Sequence, residues 1–170
     1  MAFYRSYKKS DSYKATYSYT ACLVGGSEPV QTSASAINNT SFNYPLIIGN
    51  NVVSCIDMLN GCTSYNQPLT VPIQVTDCAN MLYNCTNMGA NVYIKGNPYV
   101  SGMLGKKNKS KRVNVFFNEQ KYTSHSFFYY IVAVEDPYDY DSHNVDWTYD
   151  GDNCAYNTYY NIYVYLNYTG

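Results

Sequence analysis

The apolar residues of this chain recur at every second position, in short runs, and this period constrains its fold most. In LTVPIQVT, residues 69–76, Leu69, Val71, Ile73 and Val75 share one face. A period of two is that of a strand with one buried side. KATYSYTACLV (14–24) alternates in the same way, and NVYIK (91–95), RVNVFF (112–117) and the tail YYNIYVYLNY (159–168) read as further strands. SFFYYIVAV (126–134) is apolar on both faces and reads as a central strand. LIIGNNVVSCI (46–56) reads as two strands around a Gly49-Asn50-Asn51 hairpin turn. Pro72 cannot donate to a ladder, so its strand is expected at an edge or a bulge. About eight strands separated by turn residues predict an all-β fold, a single-domain antiparallel β-sandwich of jelly-roll type. Residues 1–13 break the alternation and read as an N-terminal arm or short helix ahead of a domain spanning 14–170.

The tail raises the question of what its other face meets. Ile162, Val164 and Leu166 can face a core, which leaves Tyr159, Tyr163 and Tyr165 outward. The chain holds 22 tyrosines in 170 residues, only 14% charged residues and a net charge of −1. Low charge with many amphipathic aromatics is the composition of an association surface. Tyr4, Tyr7, Tyr17, Tyr19, Tyr138, Tyr140, Tyr149, Tyr159, Tyr163 and Tyr165 are the candidates for it.

Charge is segregated. KKNKSKR (106–112) holds five cations, whereas no Lys or Arg follows Tyr122. The acidic stretch EDPYDYDSHNVDWTYDGDN (135–153) contains the only Trp, Trp147, as its expected anchor. The two segments are either separate solvated loops or partners in contact, and nucleic acid is the weaker reading of the basic one. Asp139, Asp141, His143 and Asp150 fall at calcium-loop offsets, but Asn144 stands where the loop needs Gly, so calcium is a weak match and no metal is expected. The only histidines, His125 and His143, lie in no catalytic motif. Neither catalysis nor a cofactor is expected.

CIDMLNGCT (55–63) and CANMLYNCT (78–86) share the pattern C-x-(D/N)-M-L-x-x-C-T. Each could close its own disulfide loop, or the two could lie side by side and pair across. Cys22, Cys55, Cys62, Cys78, Cys85 and Cys154 are all disulfide candidates, with free buried thiols as the alternative. Six intervening residues are too many for a zinc knuckle. Sequons at Asn38, Asn39, Asn84, Asn108 and Asn167 suit a secreted glycoprotein, but Asn is abundant throughout the chain. The first 20 residues show no secretory signal, and no stretch has the length and apolarity of a membrane span.

YYNIYVYLNY, TYSYT (16–20), FFYYIVAV (127–134) and the arm AFYRSYKK (2–9) give the chain a style that resembles the viral polyhedrins, matrix proteins of cypovirus occlusion bodies. The resemblance implies a compact β-sandwich and an N-terminal element that locks trimers. It also implies a lattice of copies enclosing virus particles in the cytoplasm of an infected cell. Phenols with a reference pKa near 10 would make such an assembly stable at neutral pH and labile in alkali. Two alternatives stay open: a jelly-roll capsid or virion surface protein, and a secreted sugar-binding β domain.

Overall fold

The computed structural model describes residues 4–7 and 21–24 as backbone strands, together with residues 37, 39–118, 131–132 and 147–169. Nine strands are described: β1 (Tyr4–Tyr7), β2 (Ala21–Val24), β3 (Leu46–Ile48), β4 (Leu69–Val71), β5 (Val92–Ile94), β6 (Val113–Phe117), β7 (Trp147–Tyr149), β8 (Cys154–Asn157) and β9 (Ile162–Tyr165). They form a three-stranded sheet, β1-β2-β3, and a six-stranded one, β4-β5-β6-β9-β8-β7.

The expected antiparallel sandwich is not the fold. β1-β2-β3 is wholly parallel, and so is β4-β5-β6-β9. Only β9-β8 and β8-β7 are antiparallel. Parallel neighbours need a long crossover, and here the crossover is one full coil of chain. Leu69 pairs with Val92 and Val92 with Val115, a step of 23 residues each time. Leu46 of β3 lies one such step before Leu69. Residues 46–117 are therefore a solenoid of stacked coils, each coil contacting chiefly its neighbours.

The local sequence explains why the chain coils instead of doubling back. Gly49-Asn50-Asn51 makes a turn, closed by Val52 N–H donating to the Gly49 carbonyl at 3.1 Å. It bends the chain, but β3 pairs only with β2, in parallel, so the expected hairpin is absent. β4 stops at Val71, and Pro72 opens a turn closed by Val75 N–H at 3.2 Å. Tyr4–Tyr7, expected in an arm or short helix, is a strand parallel to β2. The proposed central strand 126–134 lies outside the described residues except for Ile131 and Val132, which sit in a turn.

The far side of each coil is built by the doubled cysteine motif. Asp57 and Asn80 have φ of 56° and 54°, and Gly102 takes the same place in the next coil with φ 65°. Four residues on, Gly61, Asn84 and Lys106 repeat the left-handed conformation. Gly, Asn and Asp are the residues that enter this region most readily. Between these two bends the chain points its apolar side chains inward. Met58, Met81 and Met103 stack in one column, Leu59, Leu82 and Leu104 in another, all 1% exposed or less. Successive coils are hydrogen-bonded here as well: Leu59 N–H donates to Met81 O at 2.9 Å, and Leu82 N–H to Met103 O at 3.0 Å.

β9, β8 and β7 end the stack. β9 lies parallel to β6, and the antiparallel pairs β9-β8 and β8-β7 extend the sheet from this end. Trp147 is buried at the start of β7, and residues 135–146 of the acidic stretch it was expected to anchor lie outside the described residues. Pairing of β9 along β6 occupies the edge that the last coil would otherwise offer to another chain.

Candidate functional site

The outer face of the six-stranded sheet carries the polar and aromatic side chains that alternation turns away from the core. Ile162 and Val164 are fully buried, and Tyr163 and Tyr165 point outward. Two rows result. In one, Tyr93, Phe116 and Tyr165 are in register across β5, β6 and β9. Their rings stack at 5.1 and 4.9 Å between centroids, and Tyr168 leans on Phe116 at 4.6 Å. In the other, Asn114, Tyr163, Tyr156 and Thr148 are in register across β6, β9, β8 and β7. Tyr163 and Tyr156 stack at 5.2 Å. Such cross-strand pairs stabilise a sheet directly.

A hydrogen-bond network joins the rows. The Asn91 amide donates to the Tyr93 hydroxyl at 3.2 Å, and the Asn114 amide donates to Asn91 Oδ1 at 3.1 Å. Arg112 Nε donates to Asn114 Oδ1 at 2.9 Å, and its Nη2 donates to the Tyr165 hydroxyl at 3.0 Å. The guanidinium lies 3.6 Å from the centre of the Tyr163 ring. Among the described residues no second sheet packs on this face.

The basic segment divides. Lys107 is buried, and its ammonium donates to the carbonyls of Asn108, Lys111 and Tyr160 at 3.0, 2.6 and 2.6 Å. It fills the place that Cys62 and Cys85 hold in the two preceding coils, and burial lowers its pKa to about 8. The other cations are directed to rings and amides. Lys109 lies 3.6 Å above the Tyr159 ring, Lys106 lies 5.4 Å from the Tyr83 ring, and Lys111 bonds Asn87 Oδ1. Of the acidic stretch, residues 135–146 lie outside the described residues, so its expected contact with the basic segment does too.

The cysteine segments lie side by side, as one expectation had it, but the disulfides expected to pair them across are not formed. The Cys78 thiol hydrogen-bonds with Cys55, which together with burial holds its pKa well above the usual thiol value. Cys85 donates to the Leu59 carbonyl at 3.0 Å, and burial likewise raises its pKa. Cys55, Cys62, Cys78, Cys85 and Cys154 are free thiols. Cys154 sits half-buried at the end of the Tyr165 row, and burial and then Asp150 raise its pKa, the opposite of an activated nucleophile.

The other expected site residues distribute plainly. Tyr149 is half-buried on β7 and packs against the core, and Tyr159 is 37% exposed. Tyr4, Tyr7 and Cys22 lie on strands described only as backbone. Tyr17, Tyr19, Tyr138, Tyr140, Asp139, Asp141, His125 and His143 lie outside the described residues. Asp150 joins no potential metal-binding cluster among the described residues. Sequence reading missed Asn91, Asn114, Phe116 and Arg112. Their signal was the 23-residue step from Asn91 to Asn114 and from Tyr93 to Phe116.

Among the described residues no helix is long and apolar enough to cross a membrane. Comparison with protein-family models, with curated proteins and with solved structures finds no match.

Proposed function

We propose that this protein is a non-catalytic binding solenoid that recognises a carbohydrate polymer through the outer face of its six-stranded sheet. The observation that carries this reading is the network Tyr93–Asn91–Asn114–Arg112–Tyr165, which runs across three neighbouring strands. Amides, phenols and a guanidinium are donors and acceptors suited to sugar hydroxyls. Stacking within the rows occupies the faces of Phe116, so a ligand meets ring edges, hydroxyls and the ring faces at the ends of the rows. Stacked coils repeat such groups along one axis at strand spacing, about 4.8 Å. A linear array of that kind suits a linear polymer better than a small molecule. Among the described residues the face gathers no carboxylate pair, and burial raises the pKa of the Cys154 thiol beside it.

The test is binding of the purified protein to a panel of soluble polysaccharides by affinity electrophoresis. The expected result is retardation by at least one polymer, lost when Asn91→Ala and Asn114→Ala are combined. A wild-type chain that no polysaccharide retards would overturn the proposal.

A second reading, homotypic assembly into an occlusion-body matrix that dissolves in alkali, draws on the same phenol-bearing face. The sandwich that the polyhedrin resemblance implied is not the fold, so this reading rests on Tyr93, Tyr156, Tyr163 and Tyr165 alone. Light scattering would show large particles at pH 7 that disperse as the pH rises to about 11, past the reference phenol pKa. A monodisperse monomer at neutral pH would overturn it.

A further inference from the structure

Among the described residues the cations beside the outer face are clustered and have no carboxylate partner. Lys109 and Arg112 are exposed, and Lys111 is half-buried next to them in sequence. Among the described residues none of the three is paired with a carboxylate: Lys109 meets Tyr159 and Tyr160, Lys111 meets Asn87, and Arg112 meets Asn114, Tyr163 and Tyr165. Asp150 and Arg112 act in opposite directions on the Cys154 thiol. Rings and amides orient a cation without cancelling its charge. Arg112 uses two of its five N–H groups on Asn114 and Tyr165, so others are left for a ligand.

We propose that this corner is the charge-reading end of the carbohydrate site and that the ligand is an acidic polysaccharide. Its carboxylate or sulfate groups are held by Lys109 and Arg112 while its neutral hydroxyls continue along the Asn91–Asn114 row. The inference rests on the carbohydrate reading and narrows it to a charged polymer. Charge complementarity selects an anion, and the rings decide which kind. Tyr163 is stacked by Tyr156 at 5.2 Å and covered by Arg112 at 3.6 Å. Tyr159 carries Lys109 at 3.6 Å and meets Tyr160 edge-on. Rings already engaged by Arg112 and Lys109 offer a nucleic-acid base less stacking surface than the open aromatic platforms that single-stranded nucleic-acid binders use. A sugar acid needs only the N–H groups and the ring edges.

The experiment is isothermal titration of the wild-type chain with heparin (sulfated), polygalacturonate (carboxylated), dextran (neutral) and oligothymidylate. Each titration is repeated with Lys109→Gln/Arg112→Gln and with Lys106→Gln, at the far bend of the coil beside Tyr83, as a control for general charge. Either charged polysaccharide should bind more tightly than dextran, with an affinity that falls as salt is raised. The double variant should weaken that binding by about tenfold or more while Lys106→Gln leaves it unchanged. Circular dichroism confirms that the variants are folded, and the wild-type salt dependence tests the charge contribution even where a variant is not. Equal binding of dextran and the charged polymers would overturn this inference and leave the carbohydrate reading standing. Binding to none of the polysaccharides would remove both. Tighter binding of oligothymidylate would replace the acidic polysaccharide with nucleic acid.

Discussion

The ammonium of Lys107 lies 2.6 Å from the carbonyl oxygen of Tyr160. That contact ties the last coil of the solenoid to the turn before β9, the strand that begins its cap. The same ammonium holds the Asn108 and Lys111 carbonyls, so three acceptors depend on one side chain. Lys107→Met keeps the length and removes all three bonds. With hydrogen bonds to charged groups worth about 1.5–3 kcal/mol each and partly replaced by water, a net loss of about 3 kcal/mol is expected. Urea unfolding at pH 7 measures it.

The pH dependence of Lys107 has a definite sign. Burial lowers its folded pKa from the ordinary lysine value of 10.5 to about 8. Between those values the unfolded chain binds more protons than the folded one, so this group's contribution to stability rises with pH from about 8 to 10.5. Below about 8 the cost of burying the charge is present in full. Subtracting the unfolding profile of Lys107→Met from that of the wild type isolates the effect, and a difference that falls with rising pH across this window would contradict it.

The chain itself supplies a substitution test of the thiol column. Cys55 and Cys78 occupy a place that Val100 fills in the third coil, all buried to 1% or less. Cys78→Val therefore installs a side chain that this column already accepts, and it should change stability by less than about 1.5 kcal/mol. Cys78→Ser places a hydroxyl in the same apolar column and should cost more, about 2 kcal/mol. Thermal unfolding of the two variants under reducing conditions orders them.

Which side chains face in and which face out was legible from alternation, as Ile162, Tyr163, Val164 and Tyr165 show. Whether strands ran parallel or antiparallel was not, because a period of two is the same in both. The decisive signal was the 23-residue step, and the third coil disguised it. There Val100 and Lys107 replace the two cysteines, and Tyr99 pairs with Asp77 after 22 residues, not 23. The binding face was half legible. Tyr163 and Tyr165 stood out as outward phenols, but Asn91 and Asn114 become neighbours only once the coil length is known. Nor could sequence single out Lys107 within KKNKSKR, since a buried lysine is specified by the carbonyls around it.

Gly61 tests the left-handed bends separately from packing. Its φ is +81°, and a Cβ placed there meets nothing within 4 Å, so a substitution is resisted by backbone strain alone. Gly61→Asn adopts the residue that the next coil uses at Asn84 and should be tolerated within about 1 kcal/mol. Gly61→Val forces a β-branched residue into the same conformation and should cost about 2 kcal/mol. Equal effects of the two changes in urea unfolding would mean that the bend does not require its left-handed residue.

Phe116 holds the aromatic row together. It stacks on Tyr93 and Tyr165 and carries Tyr168 on its edge, three ring contacts from one side chain. Each aromatic pair is worth about 0.5–1.5 kcal/mol beyond area burial, so Phe116→Ala should cost about 3 kcal/mol and Phe116→Leu about half of that. A double-mutant cycle with Tyr93→Leu isolates the ring pair from the general loss of apolar area. The expected coupling is about 1 kcal/mol, because the rings lie nearly parallel at 5.1 Å and 13°. A coupling of zero would show that the row is held by burial alone, and the outer face would then lack the rigidity that a preformed binding surface needs.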